Sequence, residues 1–146
     1  MSPTQPVLHL AEPPPQYLQR PPLVVDCSAL AGVLFQEPWM ELALQRLAGR
    51  QLLAPKLLPF ELCNVAVKKA RRGAAEAATE GLPRWAELHI ELSDVDTAQT
   101  FDLAQSYQLT AYDAAYLWLA AERRCPLATF DERLGAAASR HLASLG

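Results

Sequence analysis

Cysteine, histidine and positive charge are all in short supply in this sequence of 146 residues. The three cysteines, Cys27, Cys63 and Cys125, are odd in number and form no C-x-x-C pair. That excludes a disulfide framework and a cysteine-rich zinc site, and fits reduced thiols in a cytoplasmic protein. His9, His89 and His141 show no metal-ligand spacing. The formal charge is −3, so no global basic signature marks the chain as a nucleic-acid binder. No apolar run reaches the roughly 18 residues of a membrane span. The N-terminus lacks the basic and apolar regions of a signal peptide. No internal repeat is visible. With 51% hydrophobic and 20% charged residues, the composition is that of one ordinary globular domain.

Proline is plentiful but unevenly placed. Pro3, Pro6, Pro13, Pro14, Pro15, Pro21 and Pro22 all fall in the first 22 residues. Such a segment builds neither ladder nor helix and leans to polyproline geometry. Residues 1–22 are therefore expected to be an extension, and residues 23–146 the domain. The extension is either a tail that adds nothing to the core or an arm that docks on a partner through Tyr17 and Leu18.

From residue 23 onward, short apolar runs alternate with helical segments. Leu23, Val24 and Val25 read as a buried strand ending on Asp26, with Ser28 as cap of a helix over 29–35. A helix over 39–48 ends at Gly49, and a strand over 51–54 is broken by Pro55. Residues 57–72 read as a long helix closed by Gly73, its firm start near 59 or 60 because of Pro59. Helix resumes over 74–88 with a break at Gly81-Leu82-Pro83. A strand over 89–92 and a helix over 95–107 follow. Thr110 caps a helix over 112–124 that is apolar all round at its centre, and so buried. Pro126 stops it, residues 127–129 form a last short strand, and Asp131 follows. This alternation predicts an α/β fold with a mainly parallel sheet. In such sheets ligand sites lie beyond the carboxyl ends of the strands. Asp26 and Asp131 both stand at such ends, and face one cleft if their strands are neighbours.

Each candidate acid also has a plainer reading. Thr110-x-x-Asp113 matches a capping box, and Asp131 could simply cap the segment over 132–139. On the helix over 60–72, Asn64, Lys68 and Arg72 fall within about 60° of Glu61. Leu62, Cys63, Ala66 and Ala70 are expected on the buried side. That stripe is either a solvated face with dipole-matched charges or a carboxylate with a phosphate-binding rail beside it. Asp94 and Asp96 read as caps, and Asp102 as a solvated charge. Trp39, Trp85 and Trp118 read as core or interface. Cys27 reads as a buried thiol, since no histidine is placed to pair with it.

Taken together, four stretches resemble the PIN-domain ribonucleases, most closely the small VapC-type toxins of bacterial toxin–antitoxin pairs. They are LVVDCSAL, APKLLPFELCNVAVKKARRG, LTAYDAAYLWLA and PLATFDERL. They carry Asp26, Glu61, Asp113 and Asp131 in the family's order. The chain departs from the pattern in its Pro-rich extension and in Phe130, where smaller residues are frequent. The resemblance implies a three-layer Rossmann-like PIN domain with four or five short parallel strands flanked by helices. It implies Mg²⁺- or Mn²⁺-dependent endonucleolytic cleavage of RNA, a homodimer, and inhibition by a cognate antitoxin. Asp26 and Asp131 are the expected metal ligands, direct or through water. Glu61 and Asp113 complete the metal site and orient the attacking water. Ser28, Asn64 and Thr129 are the expected supporting residues, and Lys68 and Arg72 the expected RNA contacts. Two other outcomes remain open at this point: a catalytically silent interaction module on the same fold, and an RNA-processing nuclease without an antitoxin.

Overall fold

A computed structural model describes residues 8, 9, 11, 20–36, 38 and 40–146. Tyr17, Leu18 and Trp39, and with them the docking-arm reading, lie outside the described residues. Four strands form one sheet: β1 (Pro22–Val25), β2 (Gln51–Pro55), β3 (Glu91–Ser93) and β4 (Leu127–Ala128). All pairings are parallel and the order is β3-β2-β1-β4. In register, Leu23 lies opposite Leu52, Leu53 opposite Glu91, and Val24 opposite Leu127. Lengths of two to five residues suit a sheet buried from both sides: Val24, Val25, Leu53 and Ala54 are fully buried.

The strand order explains the layers. Successive steps from β1 to β2 to β3 move one way across the sheet. Right-handed crossovers then put their helices on one face. These are α1 (Cys27–Leu34), α2 (Met40–Leu47), α3 (Leu58–Lys69) and α4 (Ala75–Gly81). The step from β3 to β4 reverses direction and carries α5 (Thr97–Tyr107) and α6 (Ala111–Arg123) to the other face. There α6 packs on β1, β2 and β4, with α5 and α7 (Glu132–Ala143) beside it. The reversal creates a crevice between β1 and β4, the place where open α/β sheets bind ligands.

Core packing follows the expected apolar positions. Leu30, Leu34, Leu58, Leu62, Tyr116, Leu117 and Leu134 are almost wholly buried. Each such side chain contributes roughly 1.5–3 kcal/mol by leaving water. Gly81 allows the closest approach in the helical layer. A Cβ there would stand 2.4 Å from the Leu34 carbonyl oxygen and 2.6 Å from the Phe35 ring.

Several local expectations need correction. The cap of α1 is Asp26, whose carboxylate accepts from the Ala29 amide; Ser28 lies inside the helix and its hydroxyl faces Asp26 instead. Pro55 does not break β2 but ends it, opposite Ser93, where no donor is required of it. Lys69 is followed without a stop by a π-helical turn over Ala70–Ala74, and only there does Gly73 turn the backbone left-handed at φ 92°. On α3 the buried residues are Leu58, Leu62 and Ala66, whereas Cys63 and Ala70 are exposed. The stripe is thus rotated, and Phe60 stands 79% exposed. The break after Gly81 is a change to a 3₁₀ helix over Leu82–Leu88, closed by left-handed His89. That turn delays β3 to Glu91. Of the two acids before α5, Asp96 caps it, while Asp94 pairs with Lys56 at 3.0 Å.

Candidate active site

Asp26 is the anchor of the carboxyl edge. It directly follows β1, is only 5% exposed, and sits where strand turns into helix. Its Oδ1 accepts from the Ser28 hydroxyl at 2.7 Å and the Ala29 amide at 3.0 Å. Its Oδ2 accepts from the Thr129 hydroxyl at 2.5 Å. A carboxylate has about four acceptor positions, so one on Oδ2 is left open. Thr129, just past β4, also accepts the Asp131 amide at 3.0 Å, and Ser28 accepts the Phe130 amide at 2.8 Å. Two hydroxyls thereby stitch the ends of β1 and β4 together.

Glu61 arrives from the first turn of α3, where a negative charge suits the helix dipole. Its Oε1 accepts from the Tyr116 hydroxyl at 2.5 Å. Tyr116 belongs to α6, three residues after Asp113 and on the same helical side. Asp113 occupies the first turn of α6, and its amide donates to the Thr110 hydroxyl at 3.1 Å. Asp131 caps α7 through the Leu134 amide at 2.8 Å. Thr110 therefore caps α6 through the Asp113 amide, with no return bond from the Thr110 amide to the Asp113 carboxylate among the described residues, and the capping reading of Asp131 is correct; neither cap competes with a role at the cleft.

Electrostatics tie the four acids together. Burial, and after its hydrogen bonds the charge of Asp131, hold the Asp26 carboxyl above the usual range. Burial also raises Glu61, with Asp113 and Asp26 adding to it. Asp113 is raised by burial, then by Asp131 and Asp26, with Arg133 opposing. Cys27 is half-buried between Glu61 and Asp26, and burial with those charges pushes its thiol up to about 12. An inert thiol is the result.

The other expected residues fall less centrally. Asn64, Lys68 and Arg72 are all exposed on α3 and the turn after it, and Asn64 makes no side-chain hydrogen bond among the described residues. Trp118 is half-buried and donates to Gln99 at 2.6 Å. Two residues were missed by sequence reasoning. Tyr116 could have been found from its three-residue spacing to Asp113. Arg133 sits two residues after Asp131 and carries no motif of its own.

A hard divalent cation fits the chemistry of this donor set. All four side chains offer carboxylate oxygen, and their mutual repulsion is what a cation offsets. Among the described residues, however, no three His, Cys, Asp or Glu side chains are arranged to hold a metal ion directly. Mg²⁺ commonly takes one or two carboxylates and completes its shell with water and substrate phosphate, so it does not require three protein ligands.

Parallel strands, the β1–β4 switch point and acids gathered at its carboxyl edge define an α/β domain of the acid-cleft type. The PIN domain family model matches residues 23–139, and the chain belongs to that family, whose domains are generally nucleases. Among solved structures, the crystal structure of PAE2754 from Pyrobaculum aerophilum superposes with a TM-score of 0.64 at 24% identity. The match covers 86% of this chain and 97% of that one, and speaks for the shared fold. No curated protein matches the sequence.

Proposed function

We propose that this chain is a Mg²⁺- or Mn²⁺-dependent endoribonuclease, the toxin of a toxin–antitoxin pair. The observation that carries the reading is the electrostatic coupling of Asp26, Glu61, Asp113 and Asp131 at the β1–β4 edge. Four acids held together in a half-buried cleft are costly without a cation, and PIN domains are generally nucleases. Asp26, through the open position on Oδ2, and Asp131, through the oxygen not used as cap, would hold the ion, with Asp113 and Glu61 completing the site through water. When bound, such an ion supplies charge stabilisation at a phosphoryl group and acidifies water.

The chain's own residues do the rest. Thr129 and Ser28 fix the Asp26 carboxylate in one orientation. Tyr116 holds Glu61 from behind, leaving its second oxygen toward the cleft to orient a water. Asp113, in the first turn of α6, would orient the attacking water together with Glu61. Lys68 and Arg72 are proposed RNA contacts on the α3 side, and a homodimer and a cognate antitoxin are proposed partners. A basic antitoxin segment suits the cleft because a guanidinium among carboxylates takes the place of the cation.

Purified protein should cleave RNA only with Mg²⁺ or Mn²⁺. Asp26→Asn or Asp113→Asn should remove cleavage by a factor on the order of 10² to 10⁴ with the fold intact by circular dichroism. Full activity in EDTA, or in well-folded Asp26→Asn, sinks the nuclease. A second reading, a catalytically silent PIN module, is favoured by one observation: no three acids form a ready-made ligand set among the described residues. It predicts no cleavage with any metal, together with retained partner or RNA binding.

A further inference from the structure

The acid cleft cannot by itself attract RNA, since a polyanion meets four carboxylates there. A concavity of about 300 Å³ lies between the end of α5 and the outer side of α7. It is lined by Tyr107, Gln108, Arg133, Ala136, Ala137 and Arg140. No carboxylate lines it. Arg133 and Arg140 are seven residues apart, so they stand on one side of α7 about 10.5 Å from each other along the axis. Phosphates one or two nucleotides apart on a single strand match that length.

Both guanidiniums are exposed, and neither forms an ion pair among the described residues. By contrast, Lys56, Arg123 and Arg124 are engaged with Asp94, Glu91 and the Gly146 carbonyl. Arg140 is held in place by the Tyr107 ring, 5.9 Å from its centroid. Tyr107 is in turn fixed by His141, whose Nδ1 lies 3.1 Å from its hydroxyl. Arg133 stands in the first turn of α7, where the helix dipole disfavours a cation. Helix stability therefore gives no reason for its placement. It is near enough to Asp113 to favour that residue's charged form. One end of the groove thus reaches the acid cleft, and the other leads away from it. Small Ala136 and Ala137 keep the floor low between the two arginines.

We propose that the α5–α7 groove is a binding track for the sugar-phosphate backbone of single-stranded RNA, with Arg133 and Arg140 each contacting one phosphate and Gln108 at the rim. The track rests on the nuclease reading of the neighbouring cleft but does not require cleavage. It delivers the strand to the cleft from the side opposite α3, independently of Lys68 and Arg72. Backbone contacts position without reading sequence, so the track predicts uniform effects over different RNAs.

The test uses full-length Asp26→Asn protein in EDTA and fluorescent single-stranded RNAs of several sequences, titrated over a salt series. Each phosphate contact adds about −0.7 to the slope of log affinity against log salt. Arg133→Ala with Arg140→Ala should flatten that slope by about 1.4, equally for every sequence, with an unchanged circular dichroism spectrum. Arg140→Lys should keep its half of the slope. In the active protein with metal, Arg140→Ala should raise KM with kcat nearly unchanged. An unchanged slope in the double variant overturns the track, even if the wild type cleaves RNA. So does a slope that responds only to Lys68→Ala with Arg72→Ala, or a groove that takes polyglutamate peptide with no loss of RNA binding in the double variant. If the slope flattens as expected and no metal supports cleavage, the track stands and the nuclease reading falls.

Discussion

The two halves of the acid cluster are built in different ways. Asp26 and Glu61 are held by hydroxyls from distant parts of the chain, Thr129 across 103 residues and Tyr116 across 55. Asp113 and Asp131 are held by their own helix starts, through Thr110 and Leu134 three residues away. Glu61 and the Oδ2 of Asp26 are fixed only when the tertiary fold closes, although the Asp26 Oδ1 also has the local Ser28 hydroxyl and Ala29 amide. The second pair is positioned by local backbone. A cleft of this kind combines a buried floor with a more exposed rim.

The largest expected difference between the halves is in stability. Thr129→Val keeps the shape but removes the donor to Asp26 and the acceptor for the Asp131 amide. With a buried carboxylate left short of a partner, chemical denaturation should report a loss of about 2–3 kcal/mol. A loss below about 0.5 kcal/mol would mean that the hydroxyl bridge does not hold β4 to β1. On the rim, Thr110→Ala removes a helix cap and should cost only about 1 kcal/mol. If Thr110→Ala costs more than Thr129→Val, the distinction between floor and rim is wrong.

The smallest effect is a change of slope with pH. Folding raises the pKa of Asp26, Glu61 and Asp113, chiefly by burial and then by like charge. The native state then binds more protons than the unfolded chain between the ordinary carboxylate values and the raised ones. The stability these groups contribute is full below that window and is lost as pH rises through it. Asp113→Asn, which cannot charge, should therefore gain on wild type as pH rises, measured by thermal melts in EDTA. Saturating Mg²⁺ should cancel the gain by stabilising the charged acids of the wild type. Parallel curves for the two proteins would break the coupling.

Legibility in the sequence followed the same division. The rim could be read directly: Thr110 and Asp113 announce a helix start, and Asp131 a cap after a short strand. The alternation of elements gave the α/β class and the acid ends of β1 and β4. What could not be read was whatever depends on which strand neighbours which. Ser28 looks like a cap by position, but Asp26 takes that role through the Ala29 amide, and the Ser28 hydroxyl instead bridges Asp26 and the Phe130 amide across the strand ends. Cys63 looks buried on an ideal helix, yet α3 is rotated to put Leu58, Leu62 and Ala66 inward. Pro55 looks like a strand breaker, but β2 needs no donor at its last residue. The partner of Glu61 was visible only as a spacing, since a tyrosine amid apolar neighbours reads as core.

The Asp26–Thr129 bridge also has a meaning in time. During synthesis Asp26 leaves the ribosome early and must wait for more than a hundred further residues before Thr129 exists. β2 can dock on β1 and β3 on β2 in the interval, but β4 cannot, and with it the far wall of the cleft is missing. A nascent chain without that strand carries Asp26, Glu61 and Asp113 but neither the bridge nor the fourth acid. Contacts so distant in sequence form late, because the loop they close must be ordered first. For the ribonuclease proposed above, assembly order thus acts as a safety catch: an unfinished copy lacks the bridge and the fourth acid until its last strand is made.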